Sequence, residues 1–143
     1  AVALIVKLKH NTPEVLKILS NIVANADDDQ NVRTTALHAL LDLGAHKEFI
    51  EQCKKILAGS ETGLRQAASM YLGEAGEHAS GAQTELIAGL KDADTGIKMG
   101  CIMALGNLGS KASAEAKAAL GSAAKDADKN VAKMAKDALA KLK

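Results

Sequence analysis

Tryptophan is absent from this 143-residue chain, and Phe49 and Tyr71 are its only phenyl-bearing residues. That excludes a core of stacked rings, and it excludes single-strand nucleic-acid binding by base stacking on aromatic platforms. Proline occurs once, at Pro13, so long helices run uninterrupted. Two cysteines cannot form the disulfide framework of a small secreted scaffold. Cys53 and Cys101 fall on apolar stripes of different segments, the pattern of buried free thiols. No run approaches the ~20 apolar residues of a membrane span. Ala1–Leu8 is apolar but too short, with no preceding basic region or cleavage site. A cytoplasmic location is therefore the expectation. The net charge of +1 creates no global field that selects nucleic acid or membrane. The charge is uneven, however: residues 44–96 carry a net −3 and residues 111–143 a net +4. The basic end reads as a solvated terminal cap, with tracking of a nucleic-acid backbone as the less favoured use.

What is present is a repeat. Val32-Arg33-x-x-Ala36-x-x-Ala39-Leu40-x-x-Leu43-Gly44 returns as Leu64-Arg65-x-x-Ala68-x-x-Tyr71-Leu72-x-x-Ala75-Gly76. It returns again as Ile97-Lys98-x-x-Cys101-x-x-Ala104-Leu105-x-x-Leu108-Gly109, and last as Val131-Ala132-x-x-Ala135-x-x-Ala138-Leu139-x-x-Leu142-Lys143. The copies start 32, 33 and 34 residues apart. Helical spacing at such a period means stacked helical hairpins, each burying its apolar stripe against the next. Aliphatic and alanine-rich stripes suit this, because small side chains allow close helix approach and Ala has the highest helix propensity.

The signature helices are the second, B, of each pair, over about 30–44, 61–76, 95–109 and 129–142. The A helices precede them, over about 13–25, 46–58, 81–91 and 113–125. Val15, Ile18, Leu19, Ile22 and Val23 carry the i, i+3, i+4, i+7 spacing, as do Phe49, Ile50, Cys53, Ile56 and Leu57. Thr12 before Pro13 reads as an N-cap, and Ser80-x-x-Gln83 has capping-box spacing. Asp29, Ser60, Asp94 and Asp128 stand where each B helix needs an oxygen for its orphan N–H groups. Gly44, Gly76 and Gly109 suit the left-handed closing position. Ala1-x-x-Leu4-Ile5-x-x-Leu8 matches the signature again. The expectation is a half repeat over 1–10, then repeats over 11–44, 45–76, 77–109 and 110–143, in one solenoid that is part of a longer chain. An uncapped half repeat would also offer a surface for self-association.

These residues resemble HEAT repeats, most closely the short bacterial type with a V-R-x-x-A-x-x-A-L-G-x-L-G core. Ala104-Leu105-Gly106-Asn107-Leu108-Gly109 and Tyr71-Leu72-Gly73-Glu74-Ala75-Gly76 carry its close. The resemblance implies an all-α, right-handed α-α superhelix of about four and a half hairpins. It also implies a structural ladder in which an Asp stands six residues before the Arg. Asp27–Arg33 and Asp92–Lys98 keep both members, while Gly59 before Arg65 and Ala132 after Asp126 make the ladder look broken at two steps. Among enzymes of this repeat type, deoxyhypusine hydroxylases hold iron through His-Glu dipeptides, and this chain has none. Phycobilin lyases have similar repeats, but no pigment pocket is marked here.

In a HEAT array the B helices line the concave surface. Rotating 100° per residue places Ala36, Ala39, Leu40 and Leu43 toward the core and Thr34, His38 and Leu41 on the exposed inner stripe. The equivalent stripe residues are Gln66, Met70 and Gly73, then Met99, Met103 and Gly106, flanked by Asp42, Glu74 and Asn107. Methionine suits adaptable contact surfaces. Two readings stay open: Gly73 and Gly106 open a furrow for a partner's helix or extended segment, or the methionines pack on the neighbouring B helix and the glycines serve the repeat. His10, His38, His46 and His78 are scattered over different repeats, and there is no Cys-x-x-Cys, so no metal or other cofactor is expected. His38, Met70 and Met103 would stand on the order of 10 Å apart, too far for one copper ion. The functional expectation is a non-enzymatic protein-interaction or scaffold module. Its alternatives are an accessory repeat domain of a lyase- or hydroxylase-like enzyme and a structural spacer.

Overall fold

The computed structural model describes residues 11–143, and among them every regular element is helical. Eight α-helices form four hairpins in series: α1 (Pro13–Ala24) with α2 (Gln30–Asp42), α3 (His46–Leu57) with α4 (Thr62–Glu74), α5 (Gln83–Gly89) with α6 (Thr95–Gly106), and α7 (Ala114–Ala123) with α8 (Lys129–Lys141). Short 3-10 turns, Gly76–Ala82 and Gly109–Lys111, enter the third and fourth hairpins. The expected half repeat over 1–10 lies outside the described residues.

Local chemistry sets the ends. The Thr12 hydroxyl accepts from the Val15 N–H, and Asp29, Asp94 and Asp128 accept from N–H groups in the first turns of α2, α6 and α8. Two expected caps differ. Glu61, not Ser60, stands at the cap of α4, without a side-chain bond. Ser80 caps nothing, because the 3-10 turn delays α5 to Gln83. The Gln83 amide instead reaches the next hairpin, donating to the Lys111 carbonyl and accepting from the Ser113 N–H. Gly44, Gly76 and Gly109 each close a B helix with φ of 71°, 58° and 56°, where any other residue would be strained.

The stripes bury as the spacing requires. Leu40, Leu72 and Leu105 are fully buried at equivalent positions, with Leu19, Phe49, Leu86 and Leu120 from the A helices opposite them. Each such leucine stabilises by about 1.5–3 kcal/mol relative to exposure. Leu64, Ile97 and Val131 are equally buried, whereas Val32 is 45% exposed. Val32 belongs to the first described hairpin, which has a neighbouring hairpin on only one side among the described residues. Both cysteines are free and buried. Burial pushes the Cys101 thiol up to about 12, and Cys53 higher still, which makes both poor nucleophiles.

The two helix layers pack differently. Along the B layer the helices nearly touch. A Cβ placed on Gly106 would stand 2.9 Å from the Ala138 Cβ, and one on Gly100 would collide with Ser69. The A helices stand further apart and leave clefts between hairpins. A tight layer beside a splayed one curves the stack, with the B helices on the inside.

Candidate functional site

The inner face is built from α2, α4, α6 and α8. Its first feature centres on His38, one turn before Asp42 on α2. The ring Nδ1 lies 3.0 Å from Asp42 Oδ2, and Nε2 lies 3.0 Å from Glu74 Oε2 on α4. Tyr71 meets the ring edge-on at 4.7 Å between centroids. Only the imidazolium carries an N–H on both nitrogens, so a neutral ring donates to one carboxylate and leaves the other without its proton. Burial, then the charges of Glu74 and Asp42, raises the Tyr71 hydroxyl above its ordinary value. This corner is acidic and half-exposed, with two carboxylates facing one imidazole.

The middle of the face is apolar. Met70 and Met103 are 51% and 37% exposed. The glycines beside them open no furrow. A Cβ on Gly73 would lie 2.7 Å from the Met103 Cε, so that side chain already fills the gap, and Ala138 fills the space over Gly106. Of the two open readings the furrow fails, and the other fits: the glycines let neighbouring B helices approach. What remains is a shallow pocket of about 190 Å³ between α6 and α8, lined by Ile102, Met103, Gly106, Met134, Asp137, Ala138 and Lys141.

The other expected site residues are committed within the fold. Thr34 donates back to the Asn31 carbonyl. Gln66 donates to Asp94 at 3.0 Å, tying α4 to the cap of α6, and that bond above all holds the Asp94 carboxyl below its ordinary range. Leu41 and Met99 are half-buried against the core. Asn107 donates to the Gly73 carbonyl at 2.9 Å and accepts from the Lys141 ammonium.

The ladder departs from the sequence reading. Arg33 pairs with Glu61 at 2.9 Å, Arg65 with Asp92, and Lys98 with Asp126 at 2.9 Å. Each cation reaches the acid of the following hairpin rather than one in its own. Asp27 and Asp92 are therefore not the partners of Arg33 and Lys98. The steps taken as broken are joined, with Glu61 standing in at the first. Lys98, before any other group, keeps the Asp126 carboxyl low.

One constellation went unread in sequence. His46 and His78 stack in parallel, 3.6 Å between centroids and 7° between planes. Each lies two residues after a helix-closing glycine, Gly44 and Gly76, and that equivalence was the available signal. Burial first, then the charge of His78, lowers the His46 imidazole below its ordinary value.

Among the described residues no three His, Cys, Asp or Glu side chains converge on a metal position. His38 turns its two nitrogens to two different carboxylates, and the stacked rings of His46 and His78 lie parallel instead of converging. The described residues do not fit an iron centre. Nor is any described helix long and apolar enough to cross a membrane.

No family model matches the sequence, and no curated protein does. Among solved structures, human deoxyhypusine hydroxylase in complex with glycerol is similar, with a TM-score of 0.75 at 22% identity. The match covers 89% of this chain and 43% of that one. The chain thus spans less than half the length of the enzyme it resembles. At this identity the likeness shows a HEAT-like helical-repeat fold. It also corrects the expectation that the chain is no enzyme: the same stack of hairpins forms part of a hydroxylase, so the architecture cannot exclude catalysis.

Proposed function

We propose that the chain is an accessory repeat segment of a larger HEAT-type assembly of the hydroxylase-like kind, with catalytic residues outside those described. The observation that carries this reading is the extent of the fold match: nearly the whole chain superimposes on less than half of an enzyme. The lack of a converging metal-ligand set among the described residues supports placing the chemistry elsewhere. Its own contribution is a rigid curved body with a charged and apolar inner face. Metal analysis of the 143-residue chain beside the native protein from its source tests this. The expected result is no stoichiometric transition metal on the chain and a stoichiometric one on the native protein. Metal bound by the chain itself would overturn the assignment of chemistry elsewhere, and metal on neither would overturn the hydroxylase-like reading.

A second reading rests on the exposed inner methionines: the concave face docks another polypeptide, helical or extended. Met70 and Met103 would take its apolar side chains, and Asp42 and Glu74 would take a basic group. A nucleic acid or a membrane is not the partner class this face suits. Replacing both residues, Met70→Glu with Met103→Glu, leaves helical circular dichroism intact and removes partner capture. Capture that survives both changes would refute the docking face.

A further inference from the structure

Each of the three described hairpin interfaces opens a cleft on the outer helix layer, and a ladder cation lines each one. The clefts differ in room and in charge. Between α1 and α3 the cleft is small, about 160 Å³, and Arg33 is spent there: its Nε donates to the Val23 carbonyl at 2.9 Å and its Nη1 to both Glu61 oxygens. Between α3 and α5 it is about 240 Å³, and the two charged residues on its lining, Arg65 and Glu85, cancel.

The cleft between α5 and α7 is about 450 Å³, a volume typical of small-ligand pockets. Ile87 and Leu90 wall it at the end of α5, and Ala119 and Ala123 wall it on α7. On its lining the Lys98 ammonium donates to Asp126 Oδ2 at 2.9 Å. Neither side chain is sealed off, with Lys98 21% and Asp126 17% exposed. The acid is spent, because Oδ1 accepts from the Asp128 N–H at 2.9 Å while Oδ2 accepts from Lys98. The cation is not: an ammonium carries three N–H donors, and Asp126 takes the only one engaged among the described residues. Lys91 also lines the cleft, is exposed, and makes no ion pair among the described residues.

That surplus selects the ligand. Two ammonium groups and one carboxylate line the cleft, so one added anion balances it and an added cation does not. The open hydrogen-bonding positions are N–H donors, which call for an acceptor. A bare inorganic anion would answer the charge and leave the apolar walls wet, and a plain hydrocarbon would do the reverse. We propose that the cleft between α5 and α7 is a binding site for a small aliphatic monocarboxylate. Its carboxylate accepts from the Lys98 ammonium, Lys91 supplies the balancing charge, and its hydrocarbon body lies between Ile87 and Leu90 on one side and Ala119 and Ala123 on the other. This site lies on the outer helix layer and does not depend on the use of the inner face.

Titration of the whole chain, methyl-labelled at isoleucine, leucine and alanine, with sodium octanoate tests the assignment. The expected result is a saturable shift of the Ile87, Leu90, Ala119 and Ala123 methyl resonances. Octanol and octylammonium should each bind about tenfold more weakly, through loss of the charge-assisted hydrogen bond. Acetate, which keeps the charge without the body, should bind at least about tenfold more weakly. Lys91→Met should weaken octanoate by about threefold, the scale of an exposed charge pair. Ala119→Leu should fill the cleft and abolish the shifts, and the comparison of octanoate with its analogues needs no variant if A119L misfolds. No saturable shift with octanoate, or shifts that spare these methyls, would overturn the proposal. Octanol or octylammonium binding as tightly as octanoate would overturn it by revealing a merely greasy surface, and acetate binding as tightly would do so by revealing a plain anion site. Unchanged octanoate affinity in K91M, or in a folded A119L protein, would remove the charge balance or the cleft, and the proposal with it.

Discussion

The inner and outer helix layers come from the same hairpins, yet one is nearly seamless and the other is open. In the B layer, a glycine stands at three close approaches of neighbouring helices: Gly100 under Ser69, Gly73 under Met103, Gly106 against Ala138. In the A layer, Gly121 on α7 has nothing within 4 Å of where a Cβ would be. Identical residue types therefore do opposite things. An inner glycine is a spacing device fixed by the adjoining helix, while Gly121 leaves side-chain space unused; Gly89 on α5 is closed in, but by Cys101 of its own hairpin. Curvature follows from the first, and the clefts follow from the splay.

Substitutions can break or sharpen this contrast. The largest effect belongs to the shared core beneath the inner layer: Leu105→Ala removes a fully buried side chain and should cost about 2–5 kcal/mol in denaturant unfolding. An unchanged midpoint would contradict the core assignment. Next comes Gly106→Ala, whose new methyl meets the Cβ and backbone of Ala138 at 2.9 and 3.2 Å. Because α8 has to move, a loss of about 1–3 kcal/mol is expected. The same change on the outer layer, Gly121→Ala, meets open space and should raise stability by up to about 1 kcal/mol through helix propensity. Equal signs for these two glycines would dissolve the distinction between the layers.

The smallest effects are those of pH. The His46 imidazole is held below its ordinary 6.5 in the folded chain. Above that value both folded and unfolded forms are neutral, and this contribution is fully present. As the pH falls below it, the unfolded chain takes up the proton first and stability declines. Melting scans from pH 7.5 to 5 should show that decline, and His46→Gln should flatten it. A slope unaltered by H46Q would place the titration in another group. Asp94 and Asp126 have lowered carboxyls, so their contributions are present above the ordinary 3.8 and disappear as the pH drops through their folded values.

The hairpin stack was legible because its signals are local and repeated. Val32, Leu64, Ile97 and Val131 announce the period, and Gly44, Gly76 and Gly109 announce the helix ends. What failed was anything that depends on which neighbour a side chain meets. The ladder that the resemblance implies marked Arg33 but not the acid it meets, Glu61 of the next hairpin. Gly73 stayed open between a furrow and a packing role, because only the position of Met103 on the next helix decides it. Ser80 had the spacing of a cap, but spacing does not reveal that a 3-10 turn follows Gly76. Of the inner site, the i, i+4 pair of His38 and Asp42 could be read from spacing. The bond from His38 to Glu74, 36 residues away, could not.

Asn107 touches the hairpin before its own through the Gly73 carbonyl and the one after through Lys141. A single amide thereby bridges two seams at once. Replacing that one side chain would therefore loosen two seams in a single step, where the ion pairs Arg33–Glu61, Arg65–Asp92 and Lys98–Asp126 each serve one.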